Sequence, residues 1–443
     1  MAMPVRTTSS AGDRSPGRVS TAVALGCLAV TAYTHVGYPV LVRLAARYRG
    51  QAAADDGTDA VLPTLTVVVP AHDEEEFIGR KIEDTLAQGY PAHLLEVLVV
   101  DDGSQDGTAD VVRAAVAAGA PVRLVQQAVR GGKSSALNRG VREAGGEVVV
   151  FTDANGSLVP GSLRAIVAPF LDPRVAVVSG AKKPVGAGAH GEGESTYQRL
   201  ESGLKTAESA FGAVVGADGG IFAVRRSTYK PIPPGVYADD YWIPLAALEQ
   251  GHRVAHVSRA CAVEAVSLTK RDDFERRTRI SAGIWQGTVA KARLADPRRG
   301  WVALAFVSHR VLRTAVVPPL LVVAFGASAR AARRSVPMRV LWGAQVLGWS
   351  AAGVGAVTNS RSLALPYQFA LVNVAAVRGG LRQLLGRQSG LWKQTSRGAW
   401  SAPGAVDQPQ ASTEHVVIDL TAAEQASART GLAQEETVDA PVR

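Results

Sequence analysis

Between residues 62 and 180 the chain repeats one pattern. Short apolar runs rich in valine recur at Leu65–Val69, Glu96–Val100, Val122–Val125, Glu147–Phe151 and Val175–Val178, beginning roughly 25–31 residues apart. They lack the polar alternation of a strand with one wet face, so they read as strands buried on both faces. Helix-like stretches, Glu74–Gln88, Asp106–Ala118 and Ser134–Ala144, fill most of the gaps. Strand and helix in alternation point to an α/β domain with a parallel sheet. Ligands of such sheets bind beyond the carboxyl ends of the strands. Carboxylates stand there: Asp101 and Asp102 close the second run and Asp153 closes the fourth.

The flanks are of another kind. Val19–Val42 is 24 residues without a formal charge, long enough to cross a bilayer as a helix. Arg6, Arg14 and Arg18 precede it in the manner of a signal peptide. The apolar part is too long for that and shows no convincing small-residue cleavage site, which favours a retained anchor. Arg43, Arg47 and Arg49 follow at once and favour a cytoplasmic location for what comes next. The chain therefore divides into an N-terminal tail (1–18), a transmembrane anchor (19–42), a linker (43–61), the α/β domain (62–298), a C-terminal membrane region (299–397) and an acidic tail (398–443) expected to be disordered. Within the membrane region Val340–Ser360 is 21 uncharged residues, Thr314–Ala329 and Ser362–Val377 are 16 each, and Trp301–Val311 suits an interfacial helix. Three spans after a cytoplasmic domain would put Arg330, Arg333, Arg334 and Arg339 outside, against the positive-inside bias. One of the 16-residue segments is therefore expected to be interfacial or re-entrant.

Charge follows the same division. Residues 1–297 hold 32 basic and 32 acidic residues, whereas residues 298–397 hold 14 basic residues and no acidic one. The net charge of +9 thus belongs to membrane segments and their borders, where anionic lipid headgroups are the natural partner, and gives no support to nucleic acid binding. Two cysteines, Cys27 and Cys261, exclude a disulfide scaffold and any Cys-rich metal cluster.

Four segments carry chemistry. Residues 67–82, VVVPAHDEEEFIGRKI, place a strand, a stop at Pro70 and an acid cluster opening a helix; alone, such acids read equally as dipole partners. Residues 97–112, VLVVDDGSQDGTADVV, set two adjacent aspartates at a strand end before a tight turn. A helix cap accounts for Asp106 there but leaves the Asp101-Asp102 pair unexplained. Residues 130–140, RGGKSSALNRG, look like a phosphate loop, but Gln127 stands where a Walker A loop needs glycine. A lysine at a helix start still suits phosphates. Residues 148–157, VVVFTDANGS, put Asp153 and Asn155 two apart, able to hold a divalent cation (Mg²⁺ or Mn²⁺) together with a diphosphate, or to form an Asx turn.

Taken in this order, the segments resemble the family 2 glycosyltransferases, whose GT-A domain is a Rossmann-like nucleotide-sugar-binding fold. The resemblance continues through GADGGIFAVRR (216–226), similar to the family's acceptor-side loop, and ADDYWIPLAALEQGHRV (238–254), similar to its acidic motif and following helix. RRTRISAG (276–283) is similar to the arginine segment of membrane-bound synthases. The resemblance implies that Ala71 and Glu74 lie against the nucleotide, with Asp73 where asparagine is usual. Asp102 would accept a hydrogen bond from the base, and Lys133 would lie near the diphosphate. Asp153 would bind the nucleotide sugar and, with Asn155, the cation, held more weakly than where a second aspartate is present. Asp240 would be the general base and Asp239 would position groups beside it, although the pair also reads as helix N-terminal acids. Arg277 and Arg279 would stabilise the departing diphosphate, and Asp218 and Gly219 would face the acceptor.

Arg276 and Ile280 occupy positions where processive synthases have glutamine and tryptophan. Ile280 offers no aromatic platform, and Trp285 is more than a helical turn away, so transfer of one or a few sugars is expected. The implied function is inverting, cation-dependent transfer from a nucleotide-diphosphate sugar to a saccharide or lipid-linked acceptor, in cell-envelope or exopolysaccharide synthesis. Nucleotide sugars are made inside the cell, so the implied arrangement is a multi-pass membrane protein with a cytoplasmic catalytic domain. The alternative is a catalytically silent nucleotide-sugar-binding subunit of an export complex, against which the Asp239-Asp240 pair and the two arginines argue.

Overall fold

A computed structural model describes residues 16–49, 62–185, 188–267, 269–358 and 360–387. The expectations for residues 1–15, for most of the linker and for the acidic tail lie outside the described residues. Two helices come first, α1 (Pro16–Ala32) and α2 (Tyr38–Arg49), joined by a π-helical turn at Tyr33–Gly37. The α/β domain then runs β1 (Leu65–Ala71), α3 (Glu75–Leu86), β2 (Leu95–Asp101), α4 (Thr108–Ala117), β3 (Val122–Gln126), α5 (Lys133–Glu143) and β4 (Val148–Thr152). It continues through β5 (Ser157–Leu158), α6 (Ser162–Val167), β6 (Val175–Val185), α7 (Gly188–Ser209), β7 (Ile221–Arg225), α8 (Asp239–Glu249), β8 (Arg253–Ala265) and α9 (Lys270–Ala290).

All five valine runs form strands. Every residue of β1 and of β4 is buried, as strands covered on both faces require. Burial of each such valine is worth about 1.5–3 kcal/mol before chain entropy is charged against it. Helix α5 closes on β1 because residue 140 is glycine: a Cβ there would lie 2.4 Å from Val68 Cγ1. The strand order is β3-β2-β1-β4-β7-β6-β8-β5.

The expectation of a parallel sheet needs correction, because β7 runs antiparallel between β4 and β6. The physical reason lies in its entry point. Ile221, the first residue of β7, pairs with Thr152, the last of β4, so the chain enters β7 at the carboxyl edge of the parallel strands. That reversal brings the 216–220 loop beside Asp153, where an all-parallel sheet would place it at the far end.

Among the described residues three helical stretches are long and apolar enough to cross a membrane: Gly17–Arg49, Trp301–Ala332 and Val336–Val357. The second joins α10 (Trp301–Ala305), a π-helical segment Phe306–Val316 and α11 (Val317–Ala332), so the expected interfacial helix and the span after it are one element. The third is α12. Most of the segment 362–377 falls in α13 (Ala364–Leu384), which is not one of the three and packs along α9. Two glycines allow that approach: a Cβ on Gly379 would lie 2.6 Å from the Thr278 carbonyl, and one on Gly380 would lie 2.7 Å from the Trp285 ring. Trp285 is thereby taken up by helix packing.

Candidate active site

The first two motifs are zipped together where β1 and β2 end. Asp73 adopts a left-handed φ of 54°, a conformation that aspartate and asparagine tolerate better than most residues. Its N–H donates to Ser104 Oγ at 3.0 Å, and its Oδ1 accepts the Gln105 N–H at 2.8 Å. The Glu74 N–H donates to Thr108 Oγ1 at 2.8 Å. Asp106 accepts the first amides of two helices, Glu75 at 3.1 Å and Thr108 at 3.0 Å, which satisfies donors the helices leave open.

Asp102 is fully engaged with the loop before α5. Its Oδ1 accepts Gly131 N–H at 2.7 Å and the Gln127 side-chain amide at 2.9 Å, and its Oδ2 accepts Gly132 N–H at 2.7 Å. Asp102 therefore shapes the glycine loop that delivers Lys133. Gly132 stands at φ 82°, which sets the direction in which α5 begins.

Lys133 is the electrostatic hub. Its ammonium lies 2.8 Å from Asp153 Oδ1 and 3.4 Å from Asp239 Oδ2, joining β4 to α8 across the cleft. Burial would lower its pKa, but the Asp153 and Asp239 carboxylates outweigh that and hold it well above the usual lysine value. Behind β4, the buried Lys81 donates to Thr152 Oγ1 and to the Gly156 carbonyl, both at 2.8 Å, while Thr152 Oγ1 donates to the Gly220 carbonyl at 2.8 Å. The Asp153–Asn155 turn and the 216–220 loop are thus tied from beneath.

Asp240 opens α8 against that loop. Its carbonyl accepts the Ala217 N–H at 2.7 Å, and a Cβ on Gly219 would lie 3.0 Å from Asp240 Oδ2. Burial first, then the neighbouring Asp239 and Asp218 carboxylates, push the Asp240 pKa up to about 7 against the pull of Lys133 and Lys205. Burial likewise raises Asp239 and Asp218. A carboxyl poised near neutrality can accept a proton at physiological pH.

These groups share a cleft of about 590 Å³. Lys133, Asp153, Asn155, Asp218, Gly219, Asp239, Asp240, Arg277 and Arg279 all line it. Ala71, Glu74 and Asp102 are buried outside that lining, at the sheet edge below the glycine loop. Arg277 is held by Asp273 at 2.9 Å, and Arg276 by Glu194 at 2.8 Å and Asp273 at 2.9 Å, so both reach the cleft from an ion-paired cluster. Ile280 also lines the cleft, as an aliphatic surface.

Among the described residues no three His, Cys, Asp or Glu side chains are grouped to hold a metal. Asp153 and Asn155 nevertheless fit a cation shared with a ligand. Asn155 Oδ1 is buried with no hydrogen-bond partner in the structure, and a cation that takes its remaining oxygens from diphosphate and water needs few protein ligands.

The cleft also contains groups that the motifs do not announce: Glu201 and Lys205 of α7, and Arg310 and Arg313 of the π-helical segment. The signal for the last two was the run HRVLR (309–313) inside an otherwise apolar stretch.

The mixed sheet and the carboxylate-lined cleft at its edge define a GT-A glycosyltransferase fold. Residues 66–232 match the model of glycosyl transferase family 2. A solved mannosyltransferase from Pyrobaculum calidifontis, in complex with GDP-Man and Mn²⁺, is 26% identical with a TM-score of 0.64, and the match covers 83% of this chain and 100% of that one. Glucosyl-3-phosphoglycerate synthase of Mycolicibacterium paratuberculosis is 33% identical over 202 residues, 42% of this chain and 59% of that protein. Dolichol-phosphate mannosyltransferase of Mycosarcoma maydis is 24% identical over 208 residues, 46% of this chain and 70% of that protein. Several curated relatives are matched over only 24–59% of their own length.

Proposed function

We propose that this chain is a membrane-anchored, inverting glycosyltransferase that moves a sugar from a nucleotide-diphosphate sugar to a saccharide or lipid-linked acceptor in cell-envelope or exopolysaccharide synthesis. The observation that carries the reading is the pairing across one cleft of Lys133 and Asp153 with Asp240, whose pKa is pushed up to about 7. Lys133 receives the diphosphate end of the donor, which Asp153 and Asn155 would meet through a divalent cation. Asp240 removes the proton of the acceptor hydroxyl as that oxygen attacks the anomeric carbon from the face opposite the leaving group. Asp239, paired to Lys133, keeps the donor loop and the base in register. Arg277 and Arg279 stabilise charge that develops on the departing diphosphate. A divalent cation held by Asp153 and Asn155 would add charge stabilisation at the same phosphates, in keeping with the Mn²⁺ of the Pyrobaculum calidifontis structure.

The three membrane-length helices support a multi-pass arrangement, and Arg43, Arg47 and Arg49 at the end of the first favour an α/β domain on the cytoplasmic side. Helix α13 rests on α9 and so shares that side, which leaves two spans after the domain; the turn between them, with Arg330, Arg333, Arg334 and Arg339, then still lies outside, against the positive-inside bias. Reporter fusions after residues 336 and 397 test this, and a cytoplasmic signal at 336 would overturn it.

The decisive assay is a donor screen with purified full-length protein and Mn²⁺, measuring release of nucleoside diphosphate with and without candidate acceptors. Acceptor-dependent release from one donor supports transfer. Tight donor binding with no turnover of any donor would favour the silent-subunit reading instead.

A further inference from the structure

The helix from Trp301 to Ala332 is membrane-length and apolar, yet His309, Arg310 and Arg313 interrupt it. Charged side chains in such a segment turn toward protein rather than lipid. Here they do so from the π-helical segment Phe306–Val316, a distortion that recurs at functional positions. His309 is buried between Glu208 at 2.8 Å and Glu201 at 3.0 Å, and Arg313 pairs with Glu201 at 2.8 Å. Arg310 reaches further. Its Nε donates to the Val215 carbonyl at 2.9 Å, its Nη2 lies 3.5 Å from the Glu201 carboxylate, and its guanidinium sits 5.5 Å from the centre of the Tyr241 ring.

Two of those contacts, to Val215 and Tyr241, fall on the segments that set Asp240. Tyr241 is its chain neighbour, and the loop from Val215 donates the Ala217 N–H to the Asp240 carbonyl at 2.7 Å. Gly216, between them, has φ 149°, and a Cβ there would lie 2.7 Å from Arg310 Nη2. Glycine at this position lets the guanidinium lie against the loop.

We propose that Arg310 is a positioning residue for the general base: a membrane helix supplies the clamp that holds the 215–219 loop and Tyr241 around Asp240. The membrane segment is then part of the transfer machinery as well as an anchor. This inference rests on the reading of Asp240 as base. Its physical basis is that a proton acceptor displaced by about 1 Å loses roughly 10²-fold in rate.

The test uses full-length protein in detergent, with a donor and acceptor that the wild type turns over. Arg310→Gln should lower kcat by roughly 30–100-fold, while KM for the nucleotide sugar stays within about threefold, because the Lys133–Asp153 end is untouched. Arg310→Lys, which keeps a donor and a cation, should recover most of that loss. Gly216→Ala should give the same kcat-selective loss, and the double variant Arg310→Gln/Gly216→Ala should be no worse than either single one. Unchanged kcat in folded Arg310→Gln, a change confined to KM, or additive losses would each overturn the proposal. If Arg310→Gln does not fold, Gly216→Ala decides alone, and native kcat in it overturns the proposal. A wild type that transfers no sugar refutes the underlying reading, whereas an active wild type with an undisturbed Arg310→Gln removes only the role of Arg310.

Discussion

Replacing Asp240 with asparagine should move activity and stability in opposite directions. The activity change follows from chemistry: the amide cannot take the acceptor proton, so kcat should fall by about 10²–10⁴ while donor binding is kept. The stability change follows from the raised pKa. A shift from 3.8 to about 7 is roughly three units, or about 4 kcal/mol at 1.36 kcal/mol per unit. Asp240 is only partly buried and faces the cleft, so about 2 kcal/mol is the realistic figure. The folded state binds this proton more tightly than the unfolded chain does. The wild type therefore loses stability as pH rises from about 4 through 7, and asparagine has no such loss. Thermal unfolding should show Asp240→Asn about equal to wild type near pH 4 and some 4–8 °C more stable at pH 8. The same proton should give wild-type kcat a rise with pH centred near 7. A Tm gap independent of pH, or near-native turnover in the variant, would refute the assignment.

Lys133→Met should leave Asp153 and Asp239 facing each other without their shared cation, destabilising the fold by about 3 kcal/mol in chemical denaturation at pH 8 and by less as pH falls, because burial raises the Asp239 carboxyl. Calorimetry with a nucleoside diphosphate should show at least roughly tenfold weaker binding in the same variant. Asn155→Asp adds a charge at the proposed cation position and should tighten Mn²⁺ binding, measured by titration with nucleoside diphosphate present, by about tenfold; unchanged affinity would remove Asn155 from that site. Gly140→Ala, which would set a Cβ 2.4 Å from Val68 Cγ1, should cost about 1–3 kcal/mol in thermal unfolding and leave kcat unchanged.

What the sequence reveals and what it hides divide along one physical line. β1, β2 and β4 are legible because valine runs buried on both faces have no good rival reading, and Lys133, Asp153 and Asp240 are legible because each follows a strand end or opens a helix. α7 is not, since GAHGEGESTYQRLESGLKTAES shows no apolar stripe. Besides Leu204 and Ala207 in the core, it is buried through charge: Glu201 and Glu208 meet His309, and Glu201 also meets Arg313. A helix that packs by ion pairs leaves no hydrophobic period to read. β8 is hidden for a related reason, because its burial is broken by an exposed stretch around Ser258 and Arg259. The antiparallel course of β7 is set by where Ile221 meets Thr152, a tertiary fact beyond any local pattern. Yet one hidden contact did leave a trace. Charges inside a membrane-length apolar helix are costly unless protein receives them, so HRVLR marks a place where that helix must meet polar protein. The polar surface that receives it is the buried charge of α7 and the carbonyl of Val215, beside Asp240. The same desolvation cost that keeps α7 out of a hydrophobic pattern thereby draws a membrane helix onto the catalytic loop.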